Sequence, residues 1–133
     1  MKRILLFLAL LALAFVAAPT LWAVDAPKDP VKMMMPEGAK VTKPPVMFPH
    51  AKHGALDCKT CHHTWDGEAE IAKCKSSGCH DDVTTKKGER SYYLTYHKTS
   101  DISCLGCHKK LKKEGADKYG PFVCKECHKE ENK

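Results

Sequence analysis

Cys58-Lys59-Thr60-Cys61-His62 is the first of four segments in which a pair of cysteines is followed at once by histidine. The others are Cys74-Lys75-Ser76-Ser77-Gly78-Cys79-His80, Cys104-Leu105-Gly106-Cys107-His108 and Cys124-Lys125-Glu126-Cys127-His128. Two thiols at this spacing can add to the two vinyl groups of a porphyrin, and the histidine that follows can bind the iron. The sequence therefore predicts four covalently attached haem c groups, which we number by the order of their motifs.

The second motif departs from the others because four residues, not two, separate its cysteines. The intervening loop must bulge, and Ser76, Ser77 and Gly78 are small and conformationally permissive enough to allow this.

Paired cysteines have two other common uses in proteins. Four disulfides would account for eight cysteines in an exported chain, but they leave the four following histidines unexplained. Zinc sites also use Cys-x-x-Cys, but a histidine directly after the second cysteine is poorly placed to complete a tetrahedron. Haem attachment explains both residue types together.

The remaining histidines equal the irons in number, since the chain has eight histidines and four belong to the motifs. The four that remain are His50, His53, His63 and His97. Methionine is the competing sixth ligand, but the candidates crowd into one segment before the first motif: Met33, Met34, Met35 and Met47. We therefore expect every iron to be held by two histidines.

Ligation by two histidines has functional consequences. A thioether ligand raises the potential of a haem, and two imidazoles leave it low. Six-coordination also closes the iron to substrates, so the sequence predicts electron transfer and not enzymatic catalysis. A multihaem reductase is the alternative, but it would need an iron with an open position. Adjacent His62 and His63 would hold two irons within roughly 17 Å of each other, which favours rapid exchange among haems.

The N-terminus has the pattern of a signal peptide. Lys2 and Arg3 precede an uncharged apolar run over residues 4–18, and Pro19 and a candidate cleavage site ending at Ala23 follow. A membrane anchor is the alternative, although the run is short for a bilayer span. We expect residues 1–23 to be removed and residues 24–133 to form one tetrahaem domain without stable membrane insertion.

Composition excludes some classes of protein. Lysine and arginine number 22 and acidic residues 16, a net charge of +6, which is too mild for a nucleic-acid-binding protein. The part after residue 23 is poor in the aliphatic residues that fill a core, so another group must supply the apolar mass. Positive charge concentrates late in the chain: residues 24–83 have a net charge of −1, and residues 84–133 of +5.

Regular structure is expected to be sparse. Residues 31–35 and 41–47 flank Pro36-Glu37-Gly38 and predict a small hairpin near the N-terminus, at a sheet edge because of the prolines. Residues 91–98 and 103–113 are helix candidates that begin with serine, and residues 68–75 are a shorter candidate.

These residues resemble the tetrahaem cytochrome c3 family, the class III c-type cytochromes. The resemblance rests on the segment from Val46 to His53, on Cys61-His62-His63, on the long-spaced second motif, on Tyr92-Tyr93 before His97, and on the two later motifs. It implies a small, mostly irregular and α-helical domain with a few short helices and a minor β-hairpin, wrapped around four haems. It also implies the axial pairs His62 with His50, His80 with His63, His108 with His53, and His128 with His97.

The resemblance further implies a role and a location. Members of the family are low-potential electron carriers of the periplasm in sulfate respiration, where they accept electrons from hydrogenase and pass them to multihaem or membrane-bound redox proteins. We expect a monomer, with Phe48 between the first and third haems. One departure concerns the fourth motif: many members have a four-residue spacer there, whereas Cys124 and Cys127 are separated by two residues.

Overall fold

The computed structural model describes residues 24–132, which form short helices and turns with one small sheet. Strands β1 and β2 span Val31–Lys32 and Met47–Phe48. The α-helices are α1 (His50–His53), α2 (Tyr92–His97), α3 (Cys104–Lys113) and α4 (Cys124–Cys127), and two 3₁₀ turns span Cys58–Thr60 and Glu130–Asn132. The predicted fold class, a mostly irregular domain with few short helices and a minor hairpin, is confirmed.

The N-terminal hairpin is antiparallel, with Val31 opposite Phe48 and Lys32 opposite Met47. A further bond from the Met33 N–H to the Val46 carbonyl, at 2.9 Å, prolongs it. Each strand is only two residues long, shorter than predicted, because the intervening prolines have no N–H group to donate to a ladder.

Helices α2 and α3 begin where serines were predicted to cap them. The Ser91 hydroxyl accepts from the Leu94 N–H, and the Ser103 hydroxyl accepts from the Gly106 N–H. After α3, Gly115 takes a positive φ of 74°, a conformation that costs glycine little. Both helix predictions are confirmed.

The predicted helix over residues 68–75 is wrong, since this segment contains turns and extended chain. Gly67 has a φ of 109°, and the Asp66 side chain accepts from the N–H groups of Glu68 and Ala69. So short a helix is unstable unless an apolar face packs against a neighbour, and here the chain turns directly into the second cysteine motif. Helices α1 and α4, each one turn long, were not predicted because they are too short for a periodic pattern.

The polypeptide of residues 24–132 has almost no core of its own. Among its aliphatic and aromatic side chains only Tyr92, with 8% exposure, and Pro44 are buried, while several others are half exposed. The Tyr92 ring lies edge to face with Tyr96, and its hydroxyl donates to the Met34 carbonyl at 3.2 Å. Helix α2 is thereby joined to the N-terminal segment. A chain of this size normally buries far more apolar surface, which agrees with a fold built around apolar prosthetic groups.

Candidate haem sites

The eight histidines face each other in four pairs. The ring centres are 6.4 Å apart for His50 and His62, and 6.2 Å apart for His53 and His108. The remaining pairs are His63 with His80 at 5.8 Å and His97 with His128 at 6.1 Å. Two imidazoles that bind one metal from opposite sides at about 2 Å each have ring centres about 6.3 Å apart. All four pairs have the spacing that a shared iron requires.

Ring orientation separates one pair from the others. The planes of His50 and His62 differ by 5°, and those of His97 and His128 by 9°. The angle is 24° for the pair that includes His108, but 57° between His63 and His80. The second motif therefore has the most strongly crossed imidazoles.

Backbone carbonyls select the tautomer of five histidines. Each of these has its Nδ1 atom 2.7–3.0 Å from a carbonyl oxygen, so Nδ1 carries the proton and Nε2 is left free for a metal. The pairs are His53 with Pro49, His80 with Glu89, His97 with Tyr93, His108 with Pro121 and His128 with Pro44. The last of these joins the C-terminal motif to the N-terminal segment.

His50 differs from these five because its buried Nδ1 has no hydrogen-bond partner among residues 24–132. Burial, and then the neighbouring His62 and His53, lower the pKa of the His50 imidazole. A lower pKa favours the neutral ring, which is the form that can bind a metal.

Aromatic side chains lie directly against the imidazoles. The Phe48 ring meets His50 edge-on at 4.8 Å and stacks on His53 at 4.4 Å, so it contacts one histidine from each of two pairs. On α2 the Tyr93 ring stacks on His97 at 4.3 Å with an angle of 8°, as i,i+4 residues of a helix can. The Lys86 ammonium lies over Tyr93, 4.5 Å from the ring centre.

Comparison with known proteins shows to which family the chain belongs. Residues 23–128 match the model of the class III cytochrome c family. The chain belongs to this family.

Its relatives include cytochrome c3 of Desulfovibrio desulfuricans, 52% identical over 106 residues that cover 79% of this chain and 97% of the relative. Cytochrome c3 of Maridesulfovibrio salexigens is 54% identical over 108 residues, with coverage of 79% and 96%. Among solved structures, the di-tetraheme cytochrome c3 of Desulfovibrio gigas superposes with a TM-score of 0.71 at 37% identity, covering 80% of this chain and 99% of that one.

As a class III cytochrome, the chain is a small multihaem electron-transfer protein with four covalently attached haem c groups. The residues present fit this cofactor: all eight cysteines lie within the described part of the chain and none is in a disulfide. Burial raises the pKa of the Cys61 and Cys127 thiols, and raises that of Cys104 to about 11. Neighbouring thiols add to the shifts at Cys61 and Cys104, and the Glu126 carboxylate, followed by Cys124, adds to the shift at Cys127.

Residues 24–132 contain no group of three or more histidine, cysteine or acidic side chains placed to hold a bare metal ion. They also contain no helix that is long and apolar enough to cross a membrane. The predicted signal peptide, residues 1–23, lies outside the described residues.

Several lysines that the sequence placed around the later motifs have local partners. Lys110 pairs with Asp101 at 2.7 Å, and Lys129 lies 3.4 Å from Glu131. The Lys112 ammonium lies 4.0 Å from the ring centre of Phe122 and 5.6 Å from that of Tyr119. Lys125, between the cysteines of the fourth motif, is exposed and makes no ion pair within the described residues.

Sequence reasoning from the residues left the pairing of histidines open and missed the groups that orient them. The accepting carbonyls belong to residues as ordinary as Pro44 and Glu89, which no side-chain pattern could single out. Tyr93 could have been found, because it lies four residues before His97 in a predicted helix.

Proposed function

We propose that the facing histidines are the axial ligands of the four haems. The pairs are His50 with His62, His63 with His80, His53 with His108, and His97 with His128. The attachment residues are Cys58 and Cys61, Cys74 and Cys79, Cys104 and Cys107, and Cys124 and Cys127. The ring spacing and the fixed tautomers support this assignment, which agrees with the pairing implied by the resemblance to cytochrome c3.

The pairing of all eight histidines at ring-centre distances of 5.8–6.4 Å is the observation that carries the functional proposal. With two imidazoles on each iron, no coordination position is left for a substrate, and no thioether raises the potential. Haem c supplies reversible one-electron chemistry at low potential, and the polypeptide orients its ligands and brings the groups close together. We therefore infer a low-potential electron carrier and not a reductase.

The first test is the electron paramagnetic resonance spectrum of the oxidised protein. We expect four low-spin ferric haems and no high-spin signal. The second haem should give a spectrum distinct from the other three, because imidazoles crossed by 57° split the two iron dπ orbitals less than nearly parallel ones do. A high-spin haem, or carbon monoxide binding to the reduced protein at native pH, would support the reductase instead.

We further propose that residues 1–23 are a signal peptide and that residues 24–133 function as a monomer in the periplasm. The charged start, the apolar run and Ala23 at the candidate cleavage site support export. Covalent haem attachment also fits an extracytoplasmic protein rich in cysteine. Anaerobic sulfate respiration is the proposed context.

The proposed partners are periplasmic hydrogenase, as electron donor, and other multihaem or membrane-bound redox proteins, as acceptors. The lysines of the later half create a positive field that would steer an acidic partner toward the fourth haem. Lys125 lies between the cysteines of the fourth motif and forms no ion pair within residues 24–132, whereas Lys110 and Lys129 each lie beside a carboxylate. Its position at the fourth haem motif makes Lys125 the lysine with which to test this docking site.

Reversal of this charge tests the docking site. The variant Lys125→Glu should slow electron uptake from an acidic hydrogenase several-fold at low salt, and the difference should narrow as salt screens the field. Stopped-flow reduction at several ionic strengths measures both effects.

The matched control is Lys28→Glu, a change of equal charge in the N-terminal segment, which should have little effect on uptake. The variant Lys129→Glu makes the same change of charge directly after the fourth motif and should also slow uptake at low salt. An equal loss at Lys28 and Lys125, or a loss that salt does not change, would mean that there is no local docking site at the fourth haem.

A further inference from the structure

Gly120 lies against the imidazole of His108, although it is twelve residues away and outside every haem motif. A β-carbon at position 120 would overlap the Cε1 and Nε2 atoms of that ring and would lie 2.7 Å from Nδ1. Near-equal approach to three ring atoms means that the glycine crosses the face of the imidazole. Only a residue without a side chain can do so.

Pro121, the next residue, lies close enough to His108 for its carbonyl to form a hydrogen bond with the imidazole. The Pro121 carbonyl lies 2.7 Å from Nδ1 of His108 and accepts its proton. The same carbonyl is 3.6 Å from the sulfur of Cys127, the second cysteine of the fourth motif. Gly120 and Pro121 thus form a short backbone bracket between the histidine of one motif and the attachment site of the next.

Contacts with α3 fix the position of the bracket before Gly120 and after Pro121. Before it, the Ala116 N–H donates to the Leu111 carbonyl of α3 at 3.0 Å. After it, the Phe122 ring packs with Tyr119, and the Lys112 ammonium of α3 lies over both rings. Because the segment is tied to α3 and leads directly into α4, an added side chain at position 120 would press against the imidazole and disturb its hydrogen bond to Pro121.

We propose that Gly120 is a positioning residue for the proximal ligand of the third haem, setting both the orientation of the His108 ring and its hydrogen bond to Pro121. This proposal rests on the ligand assignment above. A histidine that donates from Nδ1 to a carbonyl is a more basic ligand, which stabilises the oxidised iron. The bracket should therefore hold the potential of the third haem down.

The test compares Gly120→Ala with Gly54→Ala in the haem-loaded protein. Gly54 directly follows His53, the proposed distal ligand of the same haem, but its added β-carbon would meet nothing closer than 3.8 Å, and its φ is −63°. We expect Gly120→Ala to raise the third haem's midpoint potential in a haem-resolved titration and to shift its low-spin resonance signal. Gly54→Ala should change neither. A fully loaded Gly120→Ala protein with an unchanged third haem would overturn the proposal.

If the Gly120→Ala variant does not incorporate its haems, a measurement on the unmodified protein still tests the proposal. In the fully reduced, diamagnetic state, the Nδ1 proton of His108 should resonate downfield of that of His50, whose Nδ1 has no acceptor within residues 24–132. Equal shifts would refute the hydrogen bond and with it the bracket. If the third haem of the unmodified protein instead lacks a bis-imidazole signal, the ligand assignment itself fails.

Discussion

The replacement His97→Met is expected to raise the midpoint potential of the fourth haem on the order of 100 mV, a fraction of the roughly 0.8 V range that axial ligands span. A thioether donates less electron density than imidazole and favours the reduced iron. The other three haems should change much less, since their facing histidines are untouched. A haem-resolved redox titration, with the absorption spectrum as evidence of thioether ligation, measures the effect.

The control must separate ligand exchange from the loss of stacking, because Tyr93 lies parallel to His97 at 4.3 Å. Tyr93→Leu removes the stacked ring and keeps the imidazole, so its effect on the fourth haem should be much smaller. If His97→Met left the potential of that haem unchanged, His97 would not be its ligand. If both variants shifted it equally, stacking and not ligation would be responsible.

A second substitution, at Gly106, is expected to have a large effect on the stability of the fold. Gly106→Ala should lower the free energy of unfolding by about 2 kcal/mol, since overpacking against rigid atoms costs more than the helix propensity of alanine returns. The added β-carbon would overlap the Ser100 carbonyl oxygen and lie 2.8 Å from the carbonyl carbons of Ser100 and Thr99. All are backbone atoms, so no side chain can rotate away.

The loop that would have to move, residues 99 and 100, is hydrogen-bonded to Ser103, the N-terminal cap of α3. Ser103, which is 2% exposed, accepts from the Gly106 N–H at 3.0 Å and donates to the Ser100 carbonyl at 3.2 Å. Guanidinium unfolding of the haem-loaded variant, with Gly54→Ala as control, measures the loss. An unchanged midpoint for Gly106→Ala would show that residues 99 and 100 yield freely and do not pack as the structure places them.

Helices α2 and α3 could be predicted because the residues that start them lie within or next to each helix. Ser91 and Ser103 cap α2 and α3 because a serine before a helix can accept from an N–H two or three residues later. The helix predicted over residues 68–75 did not form because the chain turns at Gly67 and the Asp66 side chain binds the N–H groups of Glu68 and Ala69, and so short a helix is unstable by itself. Helix α1 was missed although it carries His50 and His53, because one turn is too short to show periodicity.

The haem attachment sites could be predicted from the sequence alone, because the two cysteines and the histidine of each motif lie within seven residues. One short segment therefore contains every residue that attaches a haem and its first axial ligand. The number of remaining histidines predicted two imidazoles for every iron. The tertiary structure decided which histidines face one another. His97 meets His128, and His53 meets His108, across separations that no local rule spans. It also decided what orients them, since carbonyls such as that of Pro44, and the bare backbone of Gly120, act through position and not through side-chain chemistry.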